Sequence, residues 1–271
     1  MSKMQEKDTV LSIKSLSISF GGLKAVNDLS FDIKEGEIFG LIGPNGAGKT
    51  TLFNCITQFY IPNKGEVIFK TADGAFINLV GKKVHEIIRL GLARTFQNVE
   101  SIRDLSLIDN VMIGASISFT SGFWGSILAT SKSRKQEKEV YEKAEKLMKY
   151  MGIEKFKDYQ AKEVPFGILK KMELARALMS DPKLLILDEP AAGLNDSETE
   201  ELANVIRAIR KDFNCTILLV EHDMPLVMSI CDRICAISFG EFLACGTPIE
   251  IQTDSKVQEA YLGKSEVEEY E

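Results

Sequence analysis

The chain has 271 residues, of which 45% are hydrophobic and 27% charged, and its mean hydropathy is close to zero. This composition is typical of a globular protein whose length suffices for a large core in one or two domains. The formal net charge of −6 argues against bulk binding to nucleic acid, which usually requires a surplus of basic residues.

The first part of the chain predicts an antiparallel sheet followed by a buried strand. Residues 1–8 are polar and give no secretory signal. Residues 11–33 alternate apolar and polar side chains around a Gly-Gly turn, as half-buried strands do. Residues 37–43 (EIFGLIG) instead form an apolar run that leads into a glycine-rich loop and a helix from about Lys49.

The glycine-rich loop matches the nucleotide-binding pattern GxxxxGK[ST] at every fixed position. It comprises Gly43, Pro44, Asn45, Gly46, Ala47, Gly48, Lys49 and Thr50. Glycines let backbone N–H groups surround phosphate oxygens, and the dipole of the following helix favours the same anion. We expect Lys49 to neutralise the β- and γ-phosphates and the Thr50 hydroxyl to bind Mg²⁺. The loop therefore predicts a site for ATP and Mg²⁺, with Thr51 among the nucleotide contacts.

From about residue 98 to residue 163 the pattern becomes helical. Apolar residues on one helical face recur between Lys132 and Met151, at Val140, Tyr141, Ala144, Leu147, Met148 and Met151. The uncharged segment 110–131 is long enough to cross a bilayer, but it is rich in Ser, Thr and Gly. We predict that it does not span a membrane and that its apolar surface is a partner site.

Two later strands end in polar residues. Residues 184–190 (LLILDEP) place two acids at the carboxyl end of an apolar strand, which is the ligand edge of an α/β sheet. Asp188 is the predicted Mg²⁺ ligand, and Glu189 is placed to accept a proton from an attacking water. His222 follows the strand 216–220 and is expected to be functional at the same edge. Helical patterns between these strands indicate a parallel sheet.

The other features of this half are interpreted as structural. A turn at 239–241 after a strand at 234–238 predicts a hairpin. Five cysteines, at positions 55, 215, 231, 235 and 245, form no CxxC pair, which predicts reduced and mostly buried thiols. His85 lies in no comparable context and is assigned to packing.

The order of these motifs resembles the ATP-binding subunits of ABC transporters across essentially the whole chain. The resemblance implies an α/β fold: a P-loop NTPase with a mixed core sheet, an antiparallel β subdomain and an inserted α-helical subdomain. It implies a single ABC ATPase domain over residues 1–263. Within it, 8–97 and 164–263 form the nucleotide-binding core and 98–163 the helical subdomain, and the acidic tail 264–271 is frayed.

The resemblance also implies roles for single residues. Phe20 is at the position of an aromatic that stacks on adenine. Gln97, in the motif ARTFQ, matches a glutamine that contacts Mg²⁺ or the lytic water and senses the membrane subunits. Asn195 lies in the loop that crosses the dimer interface, and His222 matches a histidine that grips the γ-phosphate. The catalytic candidates are thus Glu189, His222 and Gln97.

The signature of the family, typically LSGGQ, is altered in this chain. The aligned residues are 164–168, VPFGI, and only Gly167 is retained. Pro165 replaces a serine hydroxyl and Ile168 a glutamine amide. Gly167 is still expected to serve the nucleotide of the opposing subunit, because backbone N–H groups and the helix dipole can hold an anion. We hypothesise a pair of subunits with two unequal sites.

Several segments are similar to the branched-chain amino acid uptake group within this family. They are residues 188–195 (DEPAAGLN), 221–228 (EHDMPLVM), 259–263 (EAYLG) and 122–128 (GFWGSIL). This likeness implies a second ATPase subunit, identical or different, two membrane permease subunits and, indirectly, an extracytoplasmic solute-binding protein, but no nucleic acid. It implies a peripheral location at the cytoplasmic face of the inner membrane. Residues 98–125, with Phe123 and Trp124, are predicted to receive a short helix of the permease.

Other functions remain as alternatives. An ABC ATPase acting on nucleic acid or ribosomes usually has coiled-coil or zinc inserts, tandem cassettes or basic extensions, and this sequence has none. A regulator that binds but does not hydrolyse ATP is disfavoured by Glu189, His222 and Gln97. A related transporter for urea, another amide or exported lipopolysaccharide stays open, although the lipopolysaccharide-export ATPases are shorter in the helical insert.

Overall fold

The computed structural model describes residues 8–95, 101–118 and 131–262. None of the helices within these ranges has both the length and the apolar character needed to cross a bilayer. Residues 98–100 and 119–125 of the predicted docking segment 98–125, including Phe123 and Trp124, lie outside the described residues. The predicted acidic tail 264–271 lies outside them as well.

A four-stranded antiparallel sheet forms from the alternating segments near the N-terminus, as the sequence predicts. Its strands follow the order β2-β1-β4-β5, and their bounds are β1 Thr9–Phe20, β2 Leu23–Lys34, β4 Lys64–Lys70 and β5 Phe76–Asn78.

The second sheet has six strands in the order β10-β9-β3-β8-β7-β6. The strands are β3 Ile38–Ile42, β6 Leu92–Arg94, β7 Leu184–Asp188, β8 Thr216–Val220, β9 Arg233–Ser238 and β10 Glu241–Gly246. All neighbours are parallel except β10, which returns antiparallel along β9 through the predicted hairpin. The expectation of a mixed core sheet is therefore confirmed.

Helices connect these strands. Their bounds are α1 Lys49–Ile56, α2 Val84–Arg89, α3 Leu107–Met112, α4 Ser131–Tyr150, α5 Phe166–Leu178, α6 Asp196–Asp212, α7 Met224–Ile230, α8 Pro248–Thr253 and α9 Ser255–Leu262. Short 3₁₀ turns cover Ile113–Ser118, Glu154–Phe156 and Ala161–Glu163.

The six-stranded sheet is covered on both faces, which explains the continuous apolar runs of its strands. On one face, Phe39 and Leu41 of β3 pack in a cluster with Phe53 of α1 and the inner side of the antiparallel sheet. On the other face, Ile38 and Ile42 belong to a cluster formed mainly with the helices. Successive side chains of β3 thus serve two cores.

Helix α4 buries the face that the sequence predicts. Ala144, Leu147, Met148 and Met151 share a core with Met172 of α5. The same core continues to the sheet, so the helical segment and the strands pack as neighbours. The domain boundaries at 97, 163 and 263 remain predictions.

Helix α6 begins with a reciprocal cap. The side chain of Asn195 accepts a hydrogen bond from the N–H of Glu198 at 3.0 Å, and the Glu198 carboxylate accepts one from the N–H of Asn195 at 3.0 Å. We predict that Asn195→Ala lowers the free energy of unfolding by about 1 kcal/mol, because the helix loses its N-cap acceptor. Urea unfolding measures this, and Asn195→Asp is the control that keeps an acceptor. Equal stability of the alanine and aspartate variants would contradict the assignment.

Candidate nucleotide-binding site

Three neighbouring strands of the parallel sheet deliver the predicted residues to one edge. The loop after β3 begins at Gly43, β7 ends at Asp188, and His222 follows β8. At this edge lies a cavity of about 430 Å³, lined by the loop residues 45–51, by Phe20 and by Glu189. The geometry thus brings together most of the nucleotide contacts that the sequence predicts.

The backbone of the glycine-rich loop leaves no room for side chains at two positions. A Cβ on Gly43 would lie 2.3 Å from the carbonyl oxygen of Ile237, and a Cβ on Gly48 would lie 2.4 Å from that of Ala25. Gly48 also has a φ of 98°, in the left-handed region, and immediately precedes α1, whose start has no side-chain cap. The first N–H groups of α1 are therefore available to an anion at the loop.

Lys49 supplies positive charge inside this loop. Its ammonium donates to the carbonyl oxygens of Gly43 at 2.5 Å and Pro44 at 3.1 Å. Burial lowers the pKa of Lys49, and the negative charges of Glu189 and Asp188 oppose that shift. A cradle of backbone N–H groups with one buried cation fits the terminal phosphates of ATP.

Phe20 lies at the rim of the cavity, and the family resemblance implies that its ring stacks on adenine. It is about half exposed, and its ring meets that of Tyr60 edge-on with centroids 5.2 Å apart. Tyr60 was not predicted, because nothing in its local sequence marks it as a neighbour of Phe20.

Asp188 is held by a buried ion pair that sequence reasoning missed. Nη2 of Arg94 lies 2.7 Å from Oδ2 of Asp188, and the two side chains are 9% and 6% exposed. Nη1 of Arg94 also donates to Asn54 Oδ1 at 2.7 Å and to Thr57 Oγ1 at 3.3 Å. The guanidinium therefore ties β6 to β7 and α1. The available signal was a basic residue at the end of a buried strand, inside the ARTFQ motif.

The oxygen groups of this edge fit Mg²⁺. Among the described residues no cluster of three or more His, Cys, Asp or Glu side chains could hold a metal by itself. Mg²⁺ suits such a site, because it commonly binds through one or two protein oxygens together with phosphates of the substrate. The Asp188 carboxylate and the Thr50 hydroxyl are the oxygens that the sequence predicts. Gln97, the third predicted ligand and a catalytic candidate, lies outside the described residues.

Glu189 has a backbone conformation that is rare for a residue with a side chain. Its φ is 47°, in the left-handed region, which costs on the order of 1–3 kcal/mol and persists only where the surroundings enforce it. Its N–H donates to the carbonyl of Val220 at 2.9 Å. Nδ1 of His222 lies 3.9 Å from Oε2 of Glu189, and the histidine side chain is 62% exposed. The predicted base and the predicted phosphate-gripping histidine are thus adjacent.

Gly167 and Asn195 lie away from this cavity. Gly167 is in the first turn of α5, after Pro165 at the N-cap, and lines a separate cavity of about 330 Å³. Asn195 caps α6. Their predicted contacts concern the nucleotide of an opposing subunit and remain predictions.

Helix α5 also carries a buried cation one turn after Gly167. Lys170 is 4% exposed, and burial lowers the pKa of its ammonium. The negative charges that oppose this shift come from Glu173, Glu221, Asp188 and Glu189. Helix α5, which carries Gly167 of the signature segment, therefore interacts electrostatically with the acids at the edge of the sheet.

Comparison of the sequence with models of protein families identifies the family of this chain. The family model described as "ABC transporter" matches residues 26–192, more than half of the chain. The chain is an ATP-binding member of the ABC transporter family. ATP binding and ATPase activity are general in this family, so the chain is an ATPase. A second model, described as "Branched-chain amino acid ATP-binding cassette transporter", matches residues 243–267.

Individual relatives agree with this assignment. The chain is 41% identical to the high-affinity branched-chain amino acid transport ATP-binding protein LivG of Salmonella typhimurium, over 94% of this chain and 98% of that protein. It is 40% identical to BraF of Pseudomonas aeruginosa, which has the same description, over the same shares. The resemblance inferred from the motifs is confirmed.

Solved structures agree on the fold. The ADP conformation of an ATP-binding cassette of an ABC transporter superposes with a TM-score of 0.80 at 28% identity, covering 94% of this chain and 99% of that one. CbiO1 of Clostridium perfringens, part of an ABC transporter complex, gives 0.77 at 26% identity, covering 92% and 93%. The predicted ABC ATPase fold is confirmed.

We predict that Arg94→Met destabilises the protein by about 3–5 kcal/mol, because it removes the guanidinium that is paired with the buried Asp188 carboxylate at 2.7 Å. The matched control is Arg210→Met, whose pair with Asp232 at 2.9 Å is about 40% exposed and should contribute about 1 kcal/mol or less. Chemical denaturation of both variants measures the difference. Similar losses in the free energy of unfolding at the two positions would show that the buried pair contributes no more to stability than the exposed pair.

Proposed function

We propose that this chain is the ATP-hydrolysing subunit of a transporter that imports branched-chain amino acids. The observation that carries the proposal is the 40–41% identity to LivG and BraF over nearly the full length of both chains. The match of residues 243–267 to the branched-chain amino acid model also supports it. These relatives favour such a cargo over urea, other amides or lipopolysaccharide.

The chemistry follows from the residues at the sheet edge. The loop N–H groups and Lys49 bind the phosphates of ATP, and Phe20 stacks on the adenine. Thr50 and Asp188 would hold Mg²⁺, which would neutralise charge on the phosphates. Glu189 accepts a proton from the attacking water, and His222 contacts the γ-phosphate. The contribution of the protein is positioning and charge neutralisation, as in phosphoryl transfer generally.

The proposed working unit contains more than this chain. Gly167 and the start of α5 lie outside the cavity of their own subunit, which supports a role toward the nucleotide of a second ATPase subunit. Closure around ATP then moves the attached permease subunits, because ATP binds the closed pair more tightly than the open pair. We place the chain at the cytoplasmic face of the inner membrane, bound to two permeases that receive amino acids from a solute-binding protein.

Substitutions at two residues distinguish ATP binding from ATP hydrolysis. We predict that Lys49→Ala abolishes measurable ATP binding, because the cradle loses its buried cation. Glu189→Gln should bind ATP normally but hydrolyse it about 10²–10⁴-fold more slowly, as expected for loss of a general base. Calorimetry measures binding, and phosphate release from the complex purified from membranes measures turnover. Lys211→Ala, an exposed lysine of α6, is the control. Unchanged binding and turnover in Lys49→Ala would refute the proposal.

The cargo is tested by transport. We predict that the complex, purified in mild detergent, contains two permease chains and a second ATPase chain. In liposomes with its solute-binding protein it should take up leucine when ATP is present on the side of the ATPase subunits. Urea serves as the competing cargo. Uptake of urea without uptake of leucine would replace the amino acid assignment and keep the ATPase assignment.

A further inference from the structure

One buried carboxylate at the sheet edge has no part in the mechanism above. Glu221 lies between the end of β8 and His222, and its side chain is completely buried. Burial raises its pKa, while hydrogen bonds from the backbone N–H groups of Ala191, Asp223 and His222 oppose that rise. A buried acid with three backbone donors is a specific arrangement, because each donor must be supplied by a fixed chain segment.

The two oxygens of Glu221 bind different loops. Oε1 accepts a hydrogen bond from the N–H of Ala191 at 2.7 Å, in the loop that follows Glu189. Oε2 accepts from the N–H groups of His222 at 3.0 Å and Asp223 at 3.3 Å, in the turn that follows β8. A single rigid group therefore joins the loop of the predicted base to the loop of the predicted phosphate-contacting histidine.

This connection acts where the backbone is strained. Glu189 adopts a left-handed φ, and such a conformation persists only if neighbouring contacts enforce it. Two contacts come from consecutive residues of the adjacent strand end: the Val220 carbonyl binds the N–H of Glu189, and the Glu221 carboxylate binds the N–H of Ala191. Within the loop, the N–H of Ala192 also donates to the carbonyl of Glu189 at 3.1 Å. The turn is thus held from both sides.

We propose that Glu221 is a positioning residue for ATP hydrolysis, which fixes Glu189 and His222 relative to each other through the backbones of their loops. The inference rests on the proposed roles of Glu189 and His222. Glu221 touches neither ATP nor water in this proposal. Its effect is to keep the carboxylate of Glu189 and the ring of His222 adjacent, at the 3.9 Å seen between Oε2 and Nδ1.

A glutamine cannot replace this carboxylate. The three N–H donors require acceptors on both side-chain oxygens, whereas an amide offers one oxygen and one NH₂ donor. In Glu221→Gln one loop would therefore face a donor and lose its connection. Glu221→Asp keeps the charge but is shorter by one methylene, so it can stay with the adjacent His222 and Asp223 while withdrawing from Ala191. Both changes should uncouple the two loops.

The test compares turnover with binding in the complex purified from membranes. We expect Glu221→Gln and Glu221→Asp to lower kcat for ATP hydrolysis by about 10- to 100-fold, because each loses one charge-assisted hydrogen bond. KM for ATP and the affinity for ADP should stay within about twofold of the wild type. Glu37→Gln is the matched control. Glu37 is also buried and hydrogen-bonded, to Arg233 and the N–H of Lys34, but precedes β3 at the opposite end of the sheet. The kcat of the Glu37→Gln variant should equal that of the wild type.

A second comparison separates this inference from the proposed function. If Glu221 acts through Glu189, Glu221→Gln should lower kcat much less in a Glu189→Gln background than in the wild type. Full turnover in Glu189→Gln would refute the proposed function itself. Slow turnover in Glu189→Gln with kcat within twofold of wild type in both Glu221 variants would overturn only the role of Glu221. A rise in KM at unchanged kcat would overturn it as well. Glu221→Asp decides if Glu221→Gln does not fold.

Discussion

This site depends on one constraint, which is the burial of negative charge at the carboxyl edge of the parallel sheet. Asp188 ends β7 and Glu221 directly follows the neighbouring strand β8, and both are buried where isolated carboxylates would be costly. Each is compensated differently, the first by the guanidinium of Arg94 and the second by three backbone N–H groups. The compensation fixes the loops, and the loops carry the residues that are proposed to meet ATP.

The two cores place this edge with little freedom. Because β3 is covered on both faces, the start of the glycine-rich loop is set by packing of the antiparallel sheet and α1 on one side and of the helices on the other. The close contacts of Gly43 and Gly48 with the backbones of β9 and β2 add a steric limit at the loop itself. A cradle held in this way needs little rearrangement to receive an anion, which is how preorganised electrostatic sites act.

The sequence predicted those parts of the fold and site whose signal is local. The loop at 43–50, the acids at the end of β7 and the hairpin after β9 each depend on residue types at short spacing, and the structure has them where they were expected. Arg94, Tyr60 and the bridge made by Glu221 were missed because their partners are distant in sequence. Asp188 is 94 positions from Arg94, and no periodicity marks such a pair.

Asn195 illustrates a different limit. Its identity was explained by the resemblance alone, as a contact across a dimer, while the structure gives it a local role as a helix cap. Asn195 can act both as a helix cap and as a contact across a dimer. The cap uses its side-chain oxygen and its backbone N–H, which leaves the side-chain NH₂ for the second contact. A short polar residue after a buried strand and before a charged helix is ambiguous for this reason.

Lys170 has a consequence for cooperation between subunits. In a pair of subunits, the start of α5 would serve the neighbour's nucleotide, yet three residues after Gly167 the same helix presents a cation to the acids of its own catalytic edge. Any change of charge at that edge during turnover alters the force on α5. In such a pair, a change of charge at one nucleotide site would therefore act on the helix that faces the other site.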